Sequence, residues 1–420
     1  MYTVYLKSLL AALITSPANR TASRFGNETI RRFRGQPHEV HYFHRLDDPY
    51  SHLMVQILPA FLEKFRVKLV PHVIARLDPD MYPEKKMLAS YAVQDCVRLA
   101  RRFGLTFHEN RNAAKTEESA ELAGALLALE TNGGDFLQKA FAAGEAFWSG
   151  MPSDCIRHAP EQGVENLRAA ERLLKRKRHY LSATLFYGGE WYWGPDRLYH
   201  LEERFSDMGL GASASGPLLE PVKQEQAEAL TGKIRHLSYY FSARSPYSYI
   251  GYFKARKFAA ENEIELDLKP VLPMMMRNMK VPSAKRFYIL KDAKREAEKA
   301  GLQFGRIADP LGEGVERIYA IAYFARKSSQ QEAFFDVALP AVFAKGIDLA
   351  TNKGLRGVCD EAGLNWERCE AALKNRDWEN WVENNRLDMV ATGCWGVPTL
   401  QYGNVSAWGQ DRFWLIEDAI

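Results

Sequence analysis

Short apolar and aromatic runs alternate along the chain with longer stretches of helical pattern, and the order in which they do so occurs twice. VHYFHRLDDPYSHLM (40–54) and LSYYFSARSPYSYIG (237–251) align at an offset of 197, setting Pro49-Tyr50-Ser51 on Pro246-Tyr247-Ser248. Each begins as an aromatic-rich run suited to a strand and turns at its proline into a helix. KLVPHVI (68–74) and DLKPVLP (267–273) follow as short apolar segments that predict a second strand. SYAVQDCVRLARRFGL (90–105) and FYILKDAKREAEKAGL (287–302), again 197 apart, predict helices stopped at Gly104 and Gly301. YLSATLFYGGEWYWGPDRLYHLEE (180–203) and GVPTLQYGNVSAWGQDRFWLIED (396–418) predict a hairpin with a glycine turn and a closing helix. Their offset is near 215, and it places Trp193-Gly194-Pro195-Asp196-Arg197 on Trp408-Gly409-Gln410-Asp411-Arg412.

Each copy therefore opens β-α-β, passes through a mostly helical region and closes β-β-α, which is the thioredoxin-like plan with a helical insertion. The expected fold class is α/β: two tandem thioredoxin-like domains, each with an inserted helical subdomain. The expected divisions are an N-terminal helical extension over 1–37, a first domain over 38–205, a linker over 206–233 and a second domain over 234–420. The linker is rich in Gly, Ala, Ser and Pro, with a short helix expected at 222–230. MYTVYLKSLLAALITSPANR carries one lysine before a short apolar run and so weakly resembles a signal peptide. LLAALI is far too short to span a bilayer, and the plainer expectation is an amphipathic helix stopped near Ser16-Pro17.

Composition narrows the partners. With 420 residues, 46% hydrophobic and 26% charged, the chain is long enough for two or three soluble globular domains. A net charge of +4 from 56 basic and 52 acidic residues leaves no basic face, which argues against nucleic acid. Five cysteines without a C-x-x-C pair fit a reducing compartment, hence a cytoplasmic location, better than a disulfide framework. His38, His41, His44 and His52 do not make a metal site, because His41 and His44 point to opposite faces of a strand and His38 and His44 lie about 20 Å apart along it.

SPYSY, the KPVLP strand, KRFYILKDAKREAEKAGL and GVPTL…WGQDR together give the second half its resemblance. Over 234–420 it resembles the 2-hydroxychromene-2-carboxylate isomerases and the kappa-class glutathione transferases, whose fold is DsbA-like; the first half matches more weakly. The resemblance implies glutathione as cofactor and Ser245 as the hydroxyl that keeps its sulfur ionised. It implies a cis Val397-Pro398 bond facing the tripeptide backbone, Gln410 and Asp411 at the γ-glutamyl end, and Asn278 in the loop after the second strand. The residue types suit these roles. Serine is a favoured N-cap, proline fits the first helical position, and a helix N-terminus favours an anion. The plainer alternatives are that Ser245 is only an N-cap, that Pro398 is an ordinary trans proline, and that Asp411 caps the last helix. Lys285 either pairs with a glutathione carboxylate or is a solvated helix residue.

In the first copy Asp48 stands at the serine position and Ala183 at the proline position. A carboxylate beside a thiolate raises the thiol's pKa, and a cis bond before a non-proline residue costs ~3 kcal/mol, so this copy is expected to lack thiolate chemistry. Asp196 is read there as a helix cap. The function implied is a glutathione-dependent isomerase or transferase acting on a small electrophilic, unsaturated aromatic carbonyl compound, without nucleic acid or membrane. A homodimer and an intrachain pseudo-dimer are both open. The competing classes are a thiol-disulfide oxidoreductase, which needs a cysteine at the corner where Ser245 stands, and a non-catalytic binding protein.

Overall fold

A computed structural model of the chain describes residues 2–108, 117–149, 159–211, 216–222 and 236–420. It divides into two units, Thr21–Gln224 and Met1–Arg20 with Glu225–Ile420, so that the first twenty residues go with the second half of the sequence. The helix expected at 222–230 lies outside the described residues apart from Val222.

Two helices come first, α1 (Tyr2–Thr15) and α2 (Pro17–Phe33), separated at Ser16 as the Ser-Pro step predicts. In the unit 21–224 the order is β1 (Glu39–His44), α3 (Pro49–Lys64), β2 (Lys68–Val73), then helices α4 (Lys85–Phe103), α5 (Glu117–Leu127), α6 (Phe136–Ser149) and α7 (Glu161–Arg176). The hairpin β3 (Thr184–Tyr187) and β4 (Glu190–Trp193) and helix α8 (Leu198–Asp207) close it. The sheet order is β2-β1-β3-β4, with β1 and β2 parallel and the remaining pairs antiparallel.

The other unit repeats this order: β5 (His236–Phe241), α9 (Pro246–Glu261) and β6 (Glu265–Pro270). Its helical region comprises α10 (Ser283–Lys299), α11 (Glu313–Arg326), α12 (Gln331–Pro340), α13 (Asn352–Glu361), α14 (Trp366–Ala372) and α15 (Asp377–Ala391). The hairpin β7 (Thr399–Tyr402) and β8 (Val405–Trp408) and the one-turn helix α16 (Trp414–Glu417) end it. The sheet order is β6-β5-β7-β8 with the same pairing senses. The architecture is α/β with two sheets of four strands.

The likeness extends to single hydrogen bonds. Tyr42 Oη donates to the Ser51 carbonyl at 3.1 Å, and Tyr239 Oη to the Ser248 carbonyl at 2.7 Å. The hydroxyl oxygens of Ser51 and Ser248 accept from the backbone N–H groups of Arg45 and Ser242, each at 3.2 Å. Tyr50 Oη donates to Asp95 and Tyr247 Oη to Asp292, each at 2.7 Å. Every pair falls at the 197-residue offset. A fully buried tyrosine needs a partner for its hydroxyl, and in both units the strand tyrosine finds one on the helix that follows its own strand. The strand is thereby tied to the helix it feeds, which fixes the corner between them.

The core of the 225–420 unit joins Leu237, Tyr239 and Phe241 of β5 to Tyr252 of α9, Phe334 and Phe335 of α12, and Leu400 of β7, all fully buried. α1 packs on this unit in an unusual sense. It buries Ser8 and Thr15, which lie against Gly346 and Gly305, while Leu6, Leu9, Leu10 and Leu13 remain exposed. No described helix is long and apolar enough to cross a membrane.

Candidate active site

The corner between β5 and α9 is built from its own short side chains. Ser245 is the N-cap of α9, with extended backbone angles, and its Oγ accepts from the Ser248 N–H at 3.2 Å. Proline at the next position spends no N–H. Ser242 Oγ accepts from Arg244 N–H, and Ala243 N–H donates to Tyr319 Oη, which in turn donates to the Val271 carbonyl. Every backbone donor named here thus has a partner inside the corner, and the loop is held on both sides. Arg244 points outward in a two-bond pair with Asp309, at 2.7 and 2.8 Å. Ser245 is half-buried, and among the described residues its hydroxyl hydrogen has no acceptor.

Val397-Pro398 is cis, the one such bond among the described residues. Pro398 is buried and its carbonyl accepts from Gly409 N–H at 2.8 Å, which ties the strand to the turn that carries Gln410 and Asp411. Gly251 explains how this strand reaches α9. A Cβ there would lie 2.8 Å from Tyr239 Oη, 3.5 Å from Pro398 Cγ and 3.6 Å from Gln410 Cβ. Only a residue without a side chain leaves that room. The aligned residue in the first copy is the buried Met54, and there the proline is replaced by Ala183.

Gln410 and Asp411 lie in a 3₁₀ turn, Gln410–Arg412. Gln410 Nε2 donates to Glu296 Oε2 at 3.0 Å and to Asp411 Oδ1 at 3.4 Å. The helix that follows is capped by Phe413 without a side-chain hydrogen bond, so the expectation of Asp411 as its N-cap is corrected: a 3₁₀ turn intervenes. Asp196 is corrected in the same way, since it lies in the turn Pro195–Arg197 and Arg197 precedes α8.

Asn278 ends the 3₁₀ turn Met274–Arg277 in the left-handed region, φ 58°, where asparagine is well tolerated; it is exposed. It lies in the loop between β6 and α10. Lys285, in the first turn of α10, is not a solvated residue. Burial of its ammonium pulls its pKa from 10.5 down to about 8. Gly251 and Glu296 are the residues here that the sequence did not single out; Lys285 was already a candidate for a glutathione carboxylate. A glycine in the middle of a good helix was the one signal that pointed to a close approach.

In the first unit the same corner carries Asp48, buried, accepting from Tyr50 N–H at 3.2 Å and from Ser51 Oγ at 2.9 Å. Both carboxylate oxygens are used in capping α3. Ala183 is fully buried in the left-handed region, φ 53°, and its carbonyl accepts from Gly194 N–H at 2.8 Å, as that of Pro398 does from Gly409. Nearby, His41 Nδ1 and His72 Nε2 of the paired strands are 2.9 Å apart. Among the described residues no three His, Cys, Asp or Glu side chains are gathered as a metal site. Cys96, Cys359, Cys369 and Cys394 are buried and in no disulfide; Cys155 lies outside the described residues.

Residues 236–420 match the DSBA-like thioredoxin domain family and carry such a domain. The chain is 22% identical over 191 residues to a 2-hydroxychromene-2-carboxylate isomerase of Sphingobium xenophagum, covering 43% of this chain and 95% of that one. It is 24% identical over 197 residues to the 2-hydroxychromene-2-carboxylate isomerase of Pseudomonas putida, covering 44% and 93%. A solved structure of 2-hydroxychromene-2-carboxylate isomerase is 21% identical, with a TM-score of 0.39 over 44% of this chain and 93% of that chain.

Proposed function

We propose that the 236–420 domain is a glutathione-dependent isomerase or transferase whose substrate is a small, electrophilic, unsaturated aromatic carbonyl compound. The observation that carries this reading is Ser245: a capping serine with an uncommitted hydroxyl hydrogen, at the corner where a thiol-disulfide enzyme needs a cysteine. The residues around it suit a tripeptide with a thiol, two carboxylates and an ammonium group. Lys285 offers a partly desolvated cation to a carboxylate. Val397 offers backbone next to the cis bond for pairing with an extended chain. Gln410 and Asp411 offer an amide and a carboxylate, and Asn278 a second amide from the β6–α10 loop.

Bound glutathione would supply a sulfur nucleophile; its departure after bond rotation gives isomerisation, and its retention gives conjugation. The protein's part is to hold the sulfur ionised and to orient the tripeptide. Ser245 Oγ–H donates to the sulfur anion while Oγ still accepts from Ser248, and the positive end of α9 favours the charge further. In the first unit Asp48 offers no hydrogen and adds a negative charge, so that unit is a divergent copy of the same plan without this chemistry. The oxidoreductase reading would need a nucleophile other than Ser245, and the nearest cysteine to Pro398 in sequence, Cys394, is buried.

Millimolar glutathione should raise the melting temperature of the full chain, and Ser245→Ala should lower glutathione-dependent turnover of chromene-carboxylate or generic electrophiles ~10- to 100-fold, the worth of a hydrogen bond to a charged group. Asp48→Ala is the control. It removes a cap of equal kind, at ~1 kcal/mol of stability, and should leave turnover unchanged. No thermal shift, or equal turnover in Ser245→Ala and wild type, would refute the proposal.

A further inference from the structure

His72 of β2 stands opposite Phe43 of β1, as Lys269 of β6 stands opposite Tyr240 of β5, the same place in the two sheets. The second unit answers its cation with acids: Lys269 Nζ lies 3.1 Å from Asp388 of α15 and 3.6 Å from Asp267. In the first unit Val70 takes the place of Asp267, and α7, which packs on Phe43 through Ala170 and Leu174, ends in Arg176 followed by Lys177. His72 Nε2 meets His41 Nδ1 at 2.9 Å, and burial, His41 and Lys177 together push the His72 imidazole down to about 4, so that it is neutral at pH 7. The acids of α7 that lie nearby are spent elsewhere, Glu171 on the N–H groups of Ala75 and Arg76 and Glu165 on Arg172. Arg176 has no ion-pair partner among the described residues.

At this place β2, α7 and the 3₁₀ turn Ala128–Glu130 border a cavity of about 300 Å³. Its floor is apolar, made by the buried Val73, Ala128 and Ala170. His72 stands in its wall, and Asn132 and Arg176 stand at its exposed rim. Among the described residues that line it there is no carboxylate. An apolar hollow with a few polar groups at one side is the common form of a small-molecule site. A guanidinium has five donors and no acceptor, in a fork that matches a carboxylate.

We infer that this cavity of the 21–224 unit is a binding site for a small organic carboxylate with an apolar body, its charge on Arg176 and its body on Val73, Ala128 and Ala170. The inference does not rest on the glutathione reading. The unit whose corner carries Asp48 in place of a serine has a ligand site of its own, on the sheet face that α7 covers. An inorganic anion would leave the apolar floor bare, and a neutral ring would leave Arg176 unanswered.

Ligand-observed NMR titration of the full chain tests it with benzoate as the probe. Benzoate should bind ~10-fold more tightly than benzyl alcohol, which keeps the ring without the charge, and than acetate, which keeps the charge without the ring. Arg176→Gln should bring benzoate to the level of benzyl alcohol. Ala169→Leu adds bulk at the exposed mouth of the cavity and should weaken benzoate ~10-fold as well. Both positions are exposed, so both variants should melt with wild type; if one does not, the other decides. Benzoate held in the other unit would be indifferent to either substitution. Undiminished benzoate binding in a variant that melts with wild type, equal binding of benzoate and either control, or no binding of benzoate overturns the site.

Discussion

Lys285 shows how much a single residue owes to its surroundings. On a helical pattern it reads as one more solvated lysine, but in the fold its ammonium loses water and titrates near pH 8 instead of 10.5. The sign follows directly. A lysine with a depressed folded pKa binds fewer protons than in the unfolded chain between about pH 8 and 10.5, so stability rises with pH across that window. An anion held by the charged form loses affinity over the same rise. S-methylglutathione, which has no ionisable thiol, should therefore bind more weakly as pH passes through about 8, and Lys285→Met should remove that step and weaken binding at neutral pH ~10-fold. Titration calorimetry between pH 6 and 9 checks it; the same pH profile in both proteins would rule Lys285 out. The capping by Ser245, by contrast, was legible in the sequence, because a cap is defined by neighbours along the chain, whereas the cis Val397-Pro398 bond was implied by the family resemblance. Glu296 was not legible, and for Lys285 the sequence left a carboxylate partner and a solvated helix face both open, because their environments are made by segments far away in sequence.

At the scale of the element, α9 differs from α3 by more than its cap. The order of strands and helices, both hairpins and the glycine stop of α4 could all be read from periodicity and turn residues, which are local signals. The ends of the hairpin turns could not, because a 3₁₀ turn and a capped helix use the same residue types and only packing separates them. Gly251 belongs with these. A glycine inside a helix costs ~1 kcal/mol relative to alanine, so Gly251→Ala would stabilise an isolated α9. In the folded unit the added methyl would meet Tyr239 Oη at 2.8 Å and crowd Pro398 and Gln410. Overpacking of ~1–3 kcal/mol should then outweigh the propensity gain, lowering the melting temperature by a few degrees and weakening thiol binding as Gln410 is displaced. Thermal denaturation and binding of the variant test this together, and a more stable variant with unchanged binding would show that the approach is not close.

At the scale of the whole molecule the two units differ most in histidine. Nine of the ten fall within 21–224 and only His236 in the other unit. Several are held neutral. His44 is 1% exposed with no partner for Nε2 among the described residues, and burial drives its pKa to about 3; burial and the neighbouring His41 bring His72 to about 4. Depressed histidines contribute stability that is present above about pH 6.5 and lost as pH falls towards their folded values. His44 alone should cost this unit about 2 kcal/mol by pH 5. Calorimetry at pH 7 and pH 5 should show one transition, that of the 21–224 unit, moving to lower temperature much more than the other; two transitions shifting equally would contradict this. His44→Phe should reduce the shift.

The seating of α1 has a consequence in time. Ser8 is among the first residues made, and the glycine it rests against, Gly346, follows on the order of tens of seconds later at ordinary rates of synthesis. Late in that interval the whole of the 21–224 stretch has emerged and can fold, while Ser8 and Thr15 of α1 still wait for a surface that does not yet exist. A ribosome paused late in the message thus leaves a finished middle unit preceded by a first helix that has nothing to dock on.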